Sequence, residues 1–179
     1  IDTSQSFSSS TPTTNPFNLT DVGGYAAPSF VDIDGDLDFD AFIGNEDGDI
    51  YYFQNIGSNS SPNFTNSVVD PFNLSANEYN TSSPKFADLD DDGDFDLFIG
   101  NQTADFIYFE NTGTSNSPNF SNATENPFGL SGSRNYSFSS PDLIDIDNDG
   151  DLDLFIGSSG GNIFYFENTG TAKSPAFAA

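Results

Sequence analysis

Asp88-Leu89-Asp90-Asp91-Asp92-Gly93-Asp94-Phe95-Asp96 runs directly into Leu97-Phe98-Ile99-Gly100, an aspartate ladder feeding an apolar strand. The pattern recurs at Asp32-Ile33-Asp34-Gly35-Asp36-Leu37-Asp38-Phe39-Asp40, before Phe42-Ile43-Gly44. It recurs again at Asp145-Ile146-Asp147-Asn148-Asp149-Gly150-Asp151-Leu152-Asp153, before Phe155-Ile156-Gly157. Carboxylates at every second position repel one another, so a chain that keeps them needs a cation to hold them together. Hard oxygen donors at positions 1, 3, 5 and 9, with a carbonyl at position 7, suit Ca²⁺.

The ladders repeat every 56 to 57 residues, and other blocks keep step with them. Aromatic runs follow at Tyr51-Tyr52-Phe53-Gln54-Asn55, Ile107-Tyr108-Phe109-Glu110-Asn111 and Phe164-Tyr165-Phe166-Glu167-Asn168. Each leads through a Gly turn to Ser-Pro-x-Phe, ending at Phe64, Phe120 and Phe177. A Pro-Phe-x-Leu block recurs at Phe17, Phe72 and Phe128. Such periodicity implies units that bury their faces only by stacking on one another.

Four short strands fit each unit: the approach to the ladder (Lys85-Phe86-Ala87), Phe95–Gly100, Phe106–Glu110 and a fourth around Asn119-Phe120. The middle two are nearly continuous apolar runs, as strands covered on both faces are. Asn45-Glu46-Asp47-Gly48-Asp49 and Ser158-Ser159-Gly160-Gly161-Asn162 supply hairpin turns between them. The expected fold is therefore all-β, a β-propeller-type repeat of three four-stranded antiparallel blades. Its segments are 1–14, an outer strand of a preceding or neighbouring unit, then repeats at 15–70, 71–126 and 127–179. Residues 65–83 show little periodicity beyond Phe72 and Leu74, which suits an added edge strand or packing across a neighbouring unit. Three blades are too few for a closed propeller, so the unit is expected in a larger ring, array or filament.

The chain's 179 residues carry 28 acidic side chains against three basic ones, a formal charge of −25. Sixteen of the 28 acids lie in the ladders, and 20 Phe with seven Tyr recur at fixed places, which argues for a packed β protein rather than disorder. Three bound Ca²⁺ would add +6 and bring the charge to −19. Such acidity excludes nucleic acid and anionic membranes as partners, and no apolar run reaches the roughly 20 residues of a span. Without an initiator Met or a signal peptide, the chain reads as a processed piece of something longer.

EF-hand loops share the first nine positions, but need a bidentate Glu at position 12, where this chain has Ile43, Ile99 and Ile156. Thrombospondin type 3 ladders rely on Cys, which is absent. The ladder, the Phe-Ile-Gly and the following aromatic strand together resemble the FG-GAP/VCBS repeats, calcium-binding propeller blades of integrin α heads, some fungal lectins and many extracellular adhesion proteins. That resemblance covers all three units. It implies side-chain ligands at Asp32, Asp34, Asp36 and Asp40, at Asp88, Asp90, Asp92 and Asp96, and at Asp145, Asp147, Asp149 and Asp153. Position-7 carbonyls would come from Asp38, Asp94 and Asp151. Two to three Ca²⁺ are expected, with the first site weakest, because Leu37 stands where Gly93 and Gly150 supply a turn glycine.

Weak Ca²⁺ modules work outside the cell, where the ion is abundant. Nine Asn-x-Ser/Thr sequons fit a secreted or cell-surface glycoprotein: Asn18, Asn59, Asn63, Asn73, Asn80, Asn101, Asn119, Asn122 and Asn135. A chain with no His or Cys and one Arg offers nothing for acid/base or nucleophilic catalysis, so no enzyme is expected. The leading function is a structural or adhesive extracellular module whose partners are further copies of itself or adjacent repeats. The alternative is a calcium-dependent sugar-binding propeller, contacting glycans through Tyr25, Tyr79 and Tyr136.

Overall fold

The computed structural model describes residues 12–74, 80–103, 105–132 and 137–178. The first sheet contains β1 (Ala27–Val31), β2 (Asp40–Gly44), β3 (Ile50–Phe53) and β4 (Val68–Val69). The second contains β5 (Ser83–Ala87), β6 (Asp96–Gly100), β7 (Phe106–Phe109) and β8 (Thr124–Glu125). The third contains β9 (Ser140–Ile144), β10 (Asp153–Gly157), β11 (Ile163–Asn168) and β12 (Phe177–Ala178). Every pairing is antiparallel between chain neighbours, so each sheet is a four-stranded meander like a propeller blade.

The second strands carry the burial. All five residues of β2 and of β6 are buried, as the Phe-Ile-Gly runs require of strands covered on both faces. Their hairpin turns close on an asparagine: Asn45 Oδ1 accepts the N–H groups of Asp47 and Asp49, both at 3.0 Å, and Gly48 turns at φ 86°.

Two of the three apolar clusters lie between sheets, while the third, Val22, Ala41, Ile43, Phe53 and Phe64, belongs to the first unit alone. Ile33, Phe42 and Ile50 of the first unit meet Phe86, Leu97 and Ile107 of the second in one apolar cluster. Leu89, Phe98 and Tyr108 meet Leu154, Ile156 and Phe166 in the next. Each such side chain contributes about 1.5–3 kcal/mol on burial, so one blade alone would forfeit most of its stabilisation. At the inner edge β1, β5 and β9 adjoin in turn, and Lys85 Nζ bridges to Asp142 Oδ1 at 2.5 Å.

The fourth strand departs from the sequence expectation. Around Asn119-Phe120 there is only an isolated bridge, Asn111 to Phe120, matched by Asn55 to Phe64 in the first unit. The paired fourth strands are Val68–Val69 and Thr124–Glu125, later along the chain, while only the third unit uses its Phe177 block. Residues 65–74 fulfil both roles considered for that segment. They hold β4, and Phe72 then wedges between Tyr52 of the first unit and Phe120 of the second, with ring centroids 5.7 and 6.1 Å away. Leu74 is fully buried in the shared core. Phe128 repeats the wedge between Tyr108 and Phe177.

The unit junctions explain the glycine of Phe-Ile-Gly. A Cβ on Gly44 would strike the Ser82 carbonyl, and one on Gly100 would lie 2.5 Å from the Ser139 carbonyl. The lead-in to each following blade crosses there at backbone distance, and only glycine leaves it room.

Candidate metal centres in the ladders

Each ladder links the first and second strands of its sheet, and its even positions decide its shape. Ile33 and Leu89, at position 2, are 2% and 3% exposed and pin the loop to the core. Positions 4 and 6 are left-handed in all three copies: Gly35 and Leu37 (φ 75° and 74°), Asp91 and Gly93 (56° and 97°), Asn148 and Gly150 (63° and 96°). Position 6 thus has the positive φ at which leucine is costly, and Leu37 adopts it.

These kinks fold the odd positions inward. Asp32 accepts N–H bonds from Gly35 (2.8 Å) and Leu37 (3.1 Å). Asp88 accepts from Asp92 and Gly93, both at 3.1 Å, and Asp145 from Gly150 at 3.2 Å. Asp36, Asp92 and Asp149 each accept from the residue two further on. Asp32, Asp34 and Asp36 then bring one carboxylate oxygen each within 4.8 Å of the others, as do Asp88, Asp90 and Asp92, and Asp145, Asp147 and Asp149.

Position 9 holds the ladder to the sheet. Asp40, Asp96 and Asp153 are 1–2% exposed and accept the N–H groups of Asn55, Asn111 and Asn168 at 2.7–2.8 Å. The Tyr52 and Tyr108 hydroxyls donate to the other oxygens of Asp40 (3.2 Å) and Asp96 (2.9 Å). Burial, reinforced by the neighbouring ladder carboxylates, pushes Asp40 up to about 6 and Asp96 up to about 7. The N–H and hydroxyl donors only partly offset that cost.

The position-7 side chains were not anticipated, since only their carbonyls were expected to serve. Asp38, Asp94 and Asp151 are 6–8% exposed, and one oxygen of each has no hydrogen-bond partner. Asp34, Asp90, Asp145 and Asp153 also each hold a buried oxygen without a partner. Desolvation first, then their ladder neighbours, raises Asp38, Asp90, Asp94 and Asp151 above the ordinary carboxylate range. Seven orphaned carboxylate oxygens in three equivalent loops fit a hard divalent cation in each.

The third strand adds a residue that the ladder motif does not contain. Gln54 Nε2 donates to Asp34 Oδ2 at 2.9 Å, and the charge of Glu110, its counterpart, acts on Asp90 and Asp94. The recurrence of Gln54-Asn55, Glu110-Asn111 and Glu167-Asn168 was the available signal. The first loop therefore has an amide bound to one carboxylate oxygen where the second has an extra negative charge.

Of the sequon asparagines, Asn18, Asn59, Asn63, Asn73, Asn80, Asn119 and Asn122 are exposed, and Asn135 lies outside the described residues. Asn101 corrects the set. It is 1% exposed, its N–H donates to Ser139 Oγ at 2.9 Å, and its carbonyl accepts the Ser139 N–H at 3.0 Å. It fastens one blade to the next and presents no amide to solvent. Tyr25 is 71% exposed beside Phe138, with ring centroids 6.1 Å apart, whereas Tyr79 and Tyr136 lie outside the described residues.

No curated protein and no solved structure matches the chain. Residues 88–156 match the family model of the FG-GAP-like repeat, a span opening on the second ladder and closing on Ile156 in β10. The match covers 69 of the 179 residues, and over them the chain is similar to an FG-GAP-like repeat.

Proposed function

We propose that the chain is an extracellular, calcium-stabilised structural or adhesive repeat module. The observation that supports this most directly is the threefold recurrence of three converging carboxylates with orphaned buried oxygens beside them. Side chains at positions 1, 3, 5 and 9 would hold the ion, with position 7 adding its carbonyl. An ion there neutralises charge that otherwise opposes folding, and it locks each ladder between two strands. FG-GAP-like repeats generally serve as non-enzymatic surface modules, which agrees with a chain lacking His and Cys.

Chelation tests the proposal. A site with free Ca²⁺ at a hundredfold over Kd adds about 2.7 kcal/mol, so two or three approach the whole stability of a domain. Excess EGTA should lower Tm sharply or abolish cooperative unfolding, with Asp92→Ala and Asp149→Ala costing more than Asp36→Ala. Identical melts in EGTA and in millimolar Ca²⁺ would end the calcium proposal.

Sugar binding has one favouring observation, the exposed Tyr25 next to Phe138 at a cavity also lined by Ser82, Ser83, Ser139 and Ser140. A glycan array probed with the protein and its Tyr25→Ala variant would separate the two functions.

A further inference from the structure

We propose that the cleft between the second and third ladders docks a basic polypeptide segment of a partner, one lysine or arginine side chain lying over Phe95 with its charge at Asp91. The inference goes beyond the calcium proposal and does not require it, because Asp91 stands at position 4, outside the implied ligand set. The junction is an internal one, walled by two consecutive units.

The cleft has a volume of 470 Å³. That lies within the range of ligand pockets, roughly 300–1,000 Å³, and is far more than a bare ion fills. Leu89, Phe95, Leu143 and Leu152, with Ala87 and Ala172, supply its apolar lining. Leu89 is 3% exposed, as its place in the core requires, but Phe95 leaves 39% of its surface open. Gly150 lines the same cleft, and nothing lies within 4 Å of where a Cβ on it would stand. An open ring face attracts a cation, and apolar walls accept the aliphatic stem that carries one.

The polar side chains of the lining are all carboxylates: Asp88, Asp91, Asp145 and Asp151. Asp151 is 8% exposed, and its Oδ1 has no hydrogen-bond partner. Calcium would take that residue's carbonyl, which leaves the side chain to another cation. Asp91 is the accessible member, with 63% of its side chain in solvent. The chain already seats an ammonium beside it: Lys173 Nζ lies 3.2 Å from the Asp91 carbonyl and 3.7 Å from its carboxylate. The Lys173 side chain is itself 74% accessible and does not line the cleft, so it marks the rim without filling the interior. The equivalent contact of the first junction is uncharged, Asn116 against Gly35.

These features select among occupants. A neutral apolar ligand would fill the cleft but leave its carboxylates unanswered, and an anion would be repelled. A second copy carries the same formal charge of −25 and is repelled as well. A basic polypeptide offers long aliphatic stems that end in charge, and the field of the whole chain steers it inward. Calcium does not abolish that attraction. The span 88–96 holds six aspartates and 145–153 holds five, so one divalent ion in each leaves both formally negative.

Fluorescence anisotropy of a fluorescein-labelled peptide, Ala-Lys-Ala-Lys-Ala-Lys-Ala, titrated with the whole chain in millimolar Ca²⁺ and about 0.15 M salt, reads the outcome. Ala172→Phe fills the cleft without changing charge, and Asp91→Asn removes one charge at its rim. Each should weaken binding about fivefold or more. Lys173→Ala removes the internal competitor and should tighten binding about twofold. Asp47→Asn, an equal loss of charge on an exposed hairpin of the first unit, should change Kd by less than about twofold. Equal weakening by Asp91→Asn and Asp47→Asn, or indifference to Ala172→Phe, would mean that the peptide follows overall charge alone and would overturn the proposal. Spermidine, which carries the same charge without a peptide backbone, should compete only in large excess. Displacement at concentrations equal to the peptide's would assign the cleft to a small amine and overturn the proposal too.

Discussion

Leu37 sits in the left-handed region at φ 74° with 80% of its surface in solvent, while Gly93 and Gly150 hold the same place at 97° and 96°. The first ladder has its glycine two residues earlier, and the reason is a neighbour. A Cβ on Gly35 would strike the Asn116 side chain, which reaches back from the second unit. Lys173 makes the matching reach from the third unit, its Nζ 3.2 Å from the Asp91 carbonyl and 3.7 Å from the Asp91 carboxylate. Position 4 is thus where consecutive units touch through their ladders, and the first loop has fitted glycine to that contact and left the strain on Leu37. Leu→Gly at 37 relieves a left-handed penalty of about 1–2 kcal/mol against a chain-entropy cost of roughly 0.5–1. Little packing is lost, so the variant should gain up to about 1 kcal/mol in a urea melt. A lower midpoint at unchanged slope would show that Leu37 is not strained. The same strain, with the Gln54 amide bound to Asp34, makes the first site the weakest of the three under the calcium proposal.

At the scale of the elements, a blade is stable because of its junctions. Gly100→Ala inserts a methyl 2.5 Å from a backbone oxygen of the next unit, an overpacking that costs about 1–3 kcal/mol. Gly157→Ala meets nothing closer than the Ser140 carbonyl at 3.8 Å, an ordinary contact, and should stay within about 0.5 kcal/mol. Equal losses from both would mean that backbone preference, not close approach, keeps the glycines. The glycines, ladders and aromatic strands were legible because each recurs as a run of letters with one physical meaning. The fourth strands were not: Val68–Val69 and Thr124–Glu125 are two residues long and exposed on both faces, so no alternation marks them. What defines them is pairing to β3 and β7 followed by a left-handed turn, and neither is written in hydropathy. The position-7 aspartates were visible as letters, but a carbonyl donor and a buried carboxylate read the same in sequence. Asn101 misled for the opposite reason, since a sequon match ignores the fold that buries it.

For the whole molecule, charge sets the response to pH. Asp40 and Asp96 stand at about 6 and about 7 against an ordinary 3.8, and Asp38, Asp90, Asp94 and Asp151 are raised as well. A carboxyl whose affinity for protons is higher folded than unfolded favours the fold at low pH. In EGTA, stability is therefore expected to fall as pH rises from about 4 to about 7 and to level off above, where both states are ionised. Repulsion within a chain of formal charge −25 acts in the same direction. Under the calcium proposal, bound Ca²⁺ would reverse the sign, because it requires the ionised carboxylates and its affinity grows as protons leave. The gap in Tm between saturating Ca²⁺ and EGTA should thus be small near pH 4.5 and widest near pH 7.5, the two curves diverging through the window that Asp40 and Asp96 define. Parallel curves would mean that the ladders fold without coupling their protons to an ion, and would remove the electrostatic basis for assigning them a cation.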